Sequence, residues 1–141
     1  QIKNVLEENA NEENNYSIIA LNQNIIDAML QMKVALNKGE YICFNGDRYL
    51  DKGNTVAVDF LGSKALFPRG LFQIAVKCRV PVVFYYSMRE SDCTYRFIFE
   101  EPNLQNRITA ENLLGQYSKS LEKIVAKYPR QWFNFYDFWN I

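Results

Sequence analysis

The residues of this chain that could do chemistry sit beside turns. Phe67-Pro68-Arg69-Gly70 is a Pro-x-Gly corner that leads into a helical pattern. Such a corner frees backbone N–H groups and can aim them, together with an arginine, at an anion. It can equally be a tight strand-to-helix turn with no ligand. Asp47 and Arg48 follow the apolar run Tyr41 to Phe44 and Gly46. Strand ends are where open α/β sheets tend to place their sites. The two could form an ion pair that shapes a pocket, or Asp47 could be a plain Asx-turn residue. The chain contains no histidine, so no imidazole is present to act as a base near neutral pH. These features predict an anion-binding surface whose catalytic base lies elsewhere.

Other chemistries find less support. Cys43, Cys78 and Cys93 are odd in number and form no Cys-x-x-Cys. That pattern predicts reduced thiols acting as small hydrophobes, not a nucleophile or metal site. Asp59 interrupts an apolar strand and should face water or pair with Arg48 or Lys64. Arg89 and Glu90 read as a strand-end surface pair with a site role as the alternative. The 16 basic and 16 acidic side chains cancel, which gives nucleic acid no basic face to bind. An unrelated nucleotide-binding α/β domain would call for a Gly-x-Gly-x-x-Gly or Walker loop, and neither occurs.

The elements that must position these residues follow from periodicity. Residues 1–9 suggest the end of a helix, and Asn9 to Asn15 an acidic, Asn-rich loop. Tyr16 to Leu21 and Tyr41 to Phe44 are short apolar runs that predict buried strands. Between them Ile25, Met29, Met32 and Leu36 recur at helical spacing, with Lys38-Gly39 as the stop. Thr55 to Leu61 predicts a strand after the turn at Lys52-Gly53-Asn54. Leu71 to Cys78 is helical, Pro81 to Tyr86 is a strand, and Thr94 to Phe99 alternates like an edge strand. Thr109 can cap a final helix, with Ile108 and Leu113 as a hydrophobic staple. Leu113, Leu114, Tyr117, Leu121, Ile124 and Val125 form its apolar stripe, and Pro129 ends it. The aromatic tail from Gln131 to Ile141 should pack back on the body, or else meet a membrane interface or cover an acyl channel. Strands that alternate with helices predict one α/β domain over residues 1–141, with a mixed, largely parallel sheet flanked by helices.

The ordered strings Gly46-Asp47-Arg48, Val58-Asp59-Phe60-Leu61-Gly62, Phe67-Pro68-Arg69-Gly70, Ile74-Ala75 and Val80-Pro81-Val82-Val83 resemble the lysophospholipid acyltransferase superfamily. Tyr128-Pro129-Arg130-Gln131-Trp132-Phe133 is similar to the signature that closes its bacterial lipid A (lauroyl and myristoyl) acyltransferase branch. The resemblance implies an enzyme that moves a fatty acyl group from acyl-CoA or acyl-ACP, its donor substrate, to a hydroxyl of a lipid or lipid A-like acceptor. No cofactor is expected beyond the acyl thioester donor. In that family a histidine and an acidic residue form the general-base dyad. No such dyad can lie in this chain, so the resemblance places it upstream of Gln1 and makes the chain the C-terminal portion of the enzyme. The start at Gln1, with no Met, fits that expectation. The alternative is a non-catalytic, acyl-binding relative that has lost its base.

Carried over residue by residue, the resemblance makes Asp47, Arg48, Phe67, Pro68, Arg69 and Gly70 the expected acceptor-binding residues. Arg69 departs from the family pattern, which commonly has an acidic residue there. The expected setting is the cytoplasm or the cytoplasmic face of the inner membrane, with peripheral membrane contact. Apolar surface left uncovered by a missing N-terminal part would show as self-association or as an exposed hydrophobic patch.

Overall fold

A computed structural model of the protein describes residues 16–19, 25–49, 52–104, 108–135 and 138–139. The helix end and loop expected over residues 1–15 lie outside the described residues, as do Ala20, Leu21 and Asn24. The backbone forms two compact units, Gln1–Ile42 and Cys43–Ile141.

In the first unit, helix α1 spans Ile25–Asn37. Among its described side chains Ala28 and Met32, one turn apart, are buried, while Ile26, Leu30 and Val34 are exposed. Gly39 ends the helix in the left-handed region (φ 79), where its N–H donates to the Leu36 carbonyl. Residues 16–19 form no strand, and Tyr16 and Ile18 are exposed. Tyr41 to Phe44 likewise forms none.

Among the described residues, the second unit holds two hairpins and two α-helices. Strand β1 (Thr55–Phe60) pairs antiparallel with β2 (Ser63–Pro68), from Thr55↔Pro68 to Phe60↔Ser63. Leu61 (φ 51) and Gly62 (φ 82) make the two-residue link, and two positive φ values are what a tight hairpin turn requires. Helix α2 (Arg69–Cys78) leaves β2 without a gap. Strands β3 (Phe84–Arg89) and β4 (Tyr95–Glu100) form the second antiparallel hairpin, from Phe84↔Glu100 to Arg89↔Tyr95. Helix α3 spans Ala110–Lys127, and a 3-10 turn, Pro129–Gln131, follows it.

The chain is thus mixed α/β, but the described strands do not form the expected largely parallel sheet. Both sheets are two-stranded and antiparallel. A parallel sheet needs a crossover that returns to the same sheet. The segment β2–α2–β3 has the length for one, yet its strands belong to different sheets. Pro81 has no N–H to donate to a ladder, and β3 begins only at Phe84.

Helix α3 organises the core. Thr109 caps it as expected, accepting a hydrogen bond from the Asn112 N–H at 3.1 Å. Its stripe buries Leu113, Leu114, Leu121 and Val125 against Phe60, Phe67, Phe72, Phe84 and Tyr86. The tail folds back as expected. The Phe60 ring lies 5.3 Å from Phe67, 5.3 Å from Trp132 and 5.6 Å from Phe138, each edge to face. The Phe138 carbonyl also accepts from the Leu66 N–H of β2 at 3.2 Å. Burying a side chain of this size contributes roughly 1.5–3 kcal/mol, so the three fully buried rings of Phe60, Phe67 and Phe138 fasten the tail to the hairpin. Phe133 and Phe135 stay exposed, stacked on each other.

Candidate functional site

Gly46, Asp47 and Arg48 lie in a turn closed by the Arg48 N–H on the Asn45 carbonyl at 3.3 Å. Gly46 presses on the ring of Tyr117, and no side chain would fit between them: a Cβ there would meet Cζ at 2.7 Å. The turn grips the tail with both charged side chains. Trp132 Nε1 donates to Asp47 Oδ2 at 3.0 Å, and Arg48 Nη2 donates to the Phe133 carbonyl at 2.5 Å. Arg48 Nη1 lies 3.4 Å from the same Asp47 oxygen. Asp47 and Arg48 are therefore an ion pair, one of the two readings their sequence allowed, and the pair is aimed at the backbone and indole of the closing motif. Two strings separated by some eighty residues are one structural unit.

Next to this clasp is an open cleft of about 220 Å³, whose walls include Gly46, Asp47, Tyr86, Tyr117, Gln131 and Trp132. Gln131 is fixed by the strand edge. Its Nε2 donates to the Arg89 carbonyl at 2.7 Å, and its Oε1 accepts from the Arg89 N–H at 2.8 Å. Tyr86 Oη donates to Ser120 Oγ at 2.9 Å, and Ser120 Oγ donates to Glu100 Oε2 at 2.7 Å. Lys123 Nζ stands 3.4 Å from the other Glu100 oxygen. Burial pushes the Tyr86 phenol up to about 12 and raises that of Tyr117 further. Both are hydrogen-bonding or packing groups at neutral pH, not bases.

The Phe67-Pro68-Arg69-Gly70 corner divides by burial. Phe67 is fully buried and Pro68 is buried beside it, so these two are core residues that set where the corner lies. Arg69, at the first position of α2, is half-exposed. Its Nε and Nη2 both reach Glu111 Oε1 of α3, at 3.0 and 2.7 Å. The N–H of Glu111 and then the Arg69 guanidinium hold that carboxyl below the usual carboxylate range. Gly70 lies under the Asn54 side chain, whose Nδ2 would be 2.8 Å from any Cβ. The two halves of the expected site are thus held by different partners, Asp47 and Arg48 by the tail and Arg69 by Glu111.

The remaining candidates are surface groups. Asp59 pairs across the hairpin with Lys64 at 2.8 Å, one of the two partners its sequence position allowed. Arg89 faces Asp92, and Glu90 takes Arg96 and the Tyr128 hydroxyl. Cys43 and Cys93 are exposed free thiols, and Cys78 is a half-buried one. Among the described residues no three His, Cys, Asp or Glu side chains converge on a metal position, and no helix is long and apolar enough to cross a membrane. Sequence reasoning missed Glu111, Ser120 and Glu100. Ser120 carried a signal, being a hydroxyl set inside an apolar helical stripe; Glu111 and Glu100 carried none.

No curated protein matches the chain. A family model described as bacterial lipid A biosynthesis acyltransferase matches residues 5–140. That span takes in both the Gly46-Asp47-Arg48 turn and the Trp132 tail that it clasps, and the chain belongs to the bacterial lipid A biosynthesis acyltransferase family.

Proposed function

We propose that this chain is the acceptor-side, C-terminal part of a lipid acyltransferase. The reaction would move a fatty acyl group from acyl-CoA or acyl-ACP to a hydroxyl of a lipid A-like acceptor. The family match over residues 5–140 carries this reading. With no histidine among its 141 residues, the chain has no imidazole to take the proton from that hydroxyl. It is expected to bind and not to transfer, with a His/acidic dyad supplied by sequence upstream of Gln1.

In this reading Arg69 holds the acceptor's anionic group. The arginine already grips a carboxylate oxygen with two nitrogens, and an incoming phosphate would take the place of Glu111. Asp47 and Arg48 shape the neighbouring surface through the tail. Phe67, Pro68 and Gly70 fix the position of the corner.

The reading frame upstream of Gln1 is the first test. A His-x-x-x-x-Asp or His-x-x-x-x-Glu there, with acyl transfer by the longer protein from acyl-CoA or acyl-ACP, is the expected result. Its absence would favour a non-catalytic acyl-binding relative, the reading that the missing histidine also motivates. The acceptor role is tested by thermal shift with a phosphate-bearing lipid A precursor. Glu111→Gln should enlarge the stabilisation and Arg69→Gln should remove it. An unchanged response in both variants would end the assignment of Arg69.

A further inference from the structure

The β3–β4 hairpin has two unlike faces. Phe84 and Tyr86 belong to the core, and Met88 and Ile98 pack against it. Tyr85, Tyr95, Phe97 and Phe99 alternate with these and point the other way, each 53 to 67% exposed. The register makes the four rings one surface: Tyr85 lies opposite Phe99, Ser87 opposite Phe97 and Arg89 opposite Tyr95. Tyr85 stacks on Phe97 at 5.9 Å and lies 5.3 Å from Phe99. The other exposed rings among the described residues, such as Tyr41 and Phe135, lie outside strands. The hairpin is also held in place at its tip. Gln131 bonds the N–H and the carbonyl of Arg89, and Glu90 takes Arg96 and the Tyr128 hydroxyl. The aromatic face is therefore preorganised, which lowers the cost of docking on it.

Area and charge both point to a second copy of the chain as the occupant. An aromatic side chain carries about 200 Å² of surface, so four rings a little over half exposed offer about 400–500 Å². Two such faces in contact, with Ser87, Arg89 and Glu101 at their borders, would bury about 1,000 Å² in all, the least that a specific interface needs. The face is charged differently at its two ends. Arg89 stands at the tip, and Glu101, exposed and one residue beyond β4, stands at the other end. Arg89 spends Nε and Nη2 on Ser91 and Asp92 of the turn, which leaves Nη1 to reach outward. A twofold axis across the strands sets each tip over the far end of the partner, so Arg89 meets the partner's Glu101 twice. An axis along the strands would bring the two Arg89 side chains together instead. Charge selects the first arrangement.

We propose that two copies of this chain associate through the outer face of β3–β4. The dimer stacks the two aromatic faces with strand directions reversed and sets Arg89 of each copy against Glu101 of the other. The inference does not rest on acyl transfer, and its readout is the state of association.

Sedimentation equilibrium of the 141-residue chain tests it. The expected result is a monomer–dimer equilibrium with a dissociation constant on the order of 10 µM, as suits an interface at the small end of the range. Phe97→Lys with Phe99→Lys changes only exposed positions, so it should abolish the dimer while keeping the urea midpoint. Arg89→Glu and Glu101→Arg should each weaken association by about tenfold, and the two changes together should restore it. Such a rescue is not produced by a general loss of fold. Leu30→Lys, on the exposed stripe of α1, should leave the dimer intact. A chain that stays monomeric or forms larger aggregates would overturn the proposal. So would association that survives the two lysines, a dimer lost in Leu30→Lys, or a double charge swap no better than the single ones.

Discussion

A methyl group added at Gly46 would lie 2.7 Å from Cζ of Tyr117, and that ring cannot easily yield. Phe67, Phe72 and Phe84 surround it with centroids 5.3 to 6.3 Å away. Gly46→Ala should therefore cost about 1–3 kcal/mol through overpacking. Gly115, within α3, is the opposite case: a Cβ there meets nothing within 4 Å. Gly115→Ala should stabilise by about 0.5–1 kcal/mol by reducing the freedom of the unfolded chain. Urea unfolding of the two variants checks both signs, and equal midpoints would contradict the pair. Neither sign could be read from the sequence, which does not show what either glycine packs against. The site has the same limit. Asp47, Arg48 and Arg69 were legible as charged residues at turns. Their partners Trp132, Phe133 and Glu111 lie 42 to 85 positions away, and local pattern carries no trace of such pairings.

Helix α3 is the element most legible in the sequence, because every signal that specifies it is local. Thr109 Oγ1 accepts from the Asn112 N–H at 3.1 Å, so Thr109→Ala should cost about 1 kcal/mol while Thr109→Ser should cost much less. A thermal melt that gave the same loss for both would mean that packing of the threonine methyl, not the cap, is at stake. Strands were less legible, because a strand is a pairing and not a property of one segment. Tyr16 to Leu21 and Tyr41 to Phe44 have the composition of buried strands, yet the described residues of both form none. Strand β2 was missed for a different reason. Its turn is Leu61-Gly62, and leucine in the left-handed region is not the Asn-Gly or Asp-Gly signal of a hairpin. Its burial also runs in a block from Ala65 to Pro68 instead of alternating, and Phe67 within it packs on Tyr117 of α3 and on Phe138 of the tail. The β3–β4 hairpin does alternate, but its outward face carries Tyr85, Phe97 and Phe99. Those rings stack across the strands at 5.3 and 5.9 Å and remain exposed.

At the scale of the whole molecule, charge is balanced, and two phenols in the core hold their protons unusually tightly. Tyr86 has a phenol pushed up to about 12 by burial, and Tyr117 is raised by the same cause. An unfolded tyrosine ionises near pH 10, roughly. Between about pH 10 and 12 the unfolded chain has therefore lost protons that the folded chain still holds at these two positions, and stability must fall as pH rises through that window. Below about pH 10 both states hold the protons and the contribution is complete. For Tyr86 alone the shift to about 12 corresponds to roughly 2–3 kcal/mol lost across the window, a large fraction of the stability of an ordinary domain. The control is internal to the two tyrosines. Tyr117→Phe keeps the ring packing and removes the ionisable group, and it should flatten the dependence. Tyr86→Phe should do likewise while giving up the bond to Ser120. Urea midpoints followed across the window, with phenolate absorbance recorded alongside, test the coupling directly. The phenolates of Tyr86 and Tyr117 should appear together with unfolding. A wild-type midpoint that stayed level across the window, or Phe variants that lost stability as steeply, would show that burial of these phenols does not set the alkaline limit of the fold.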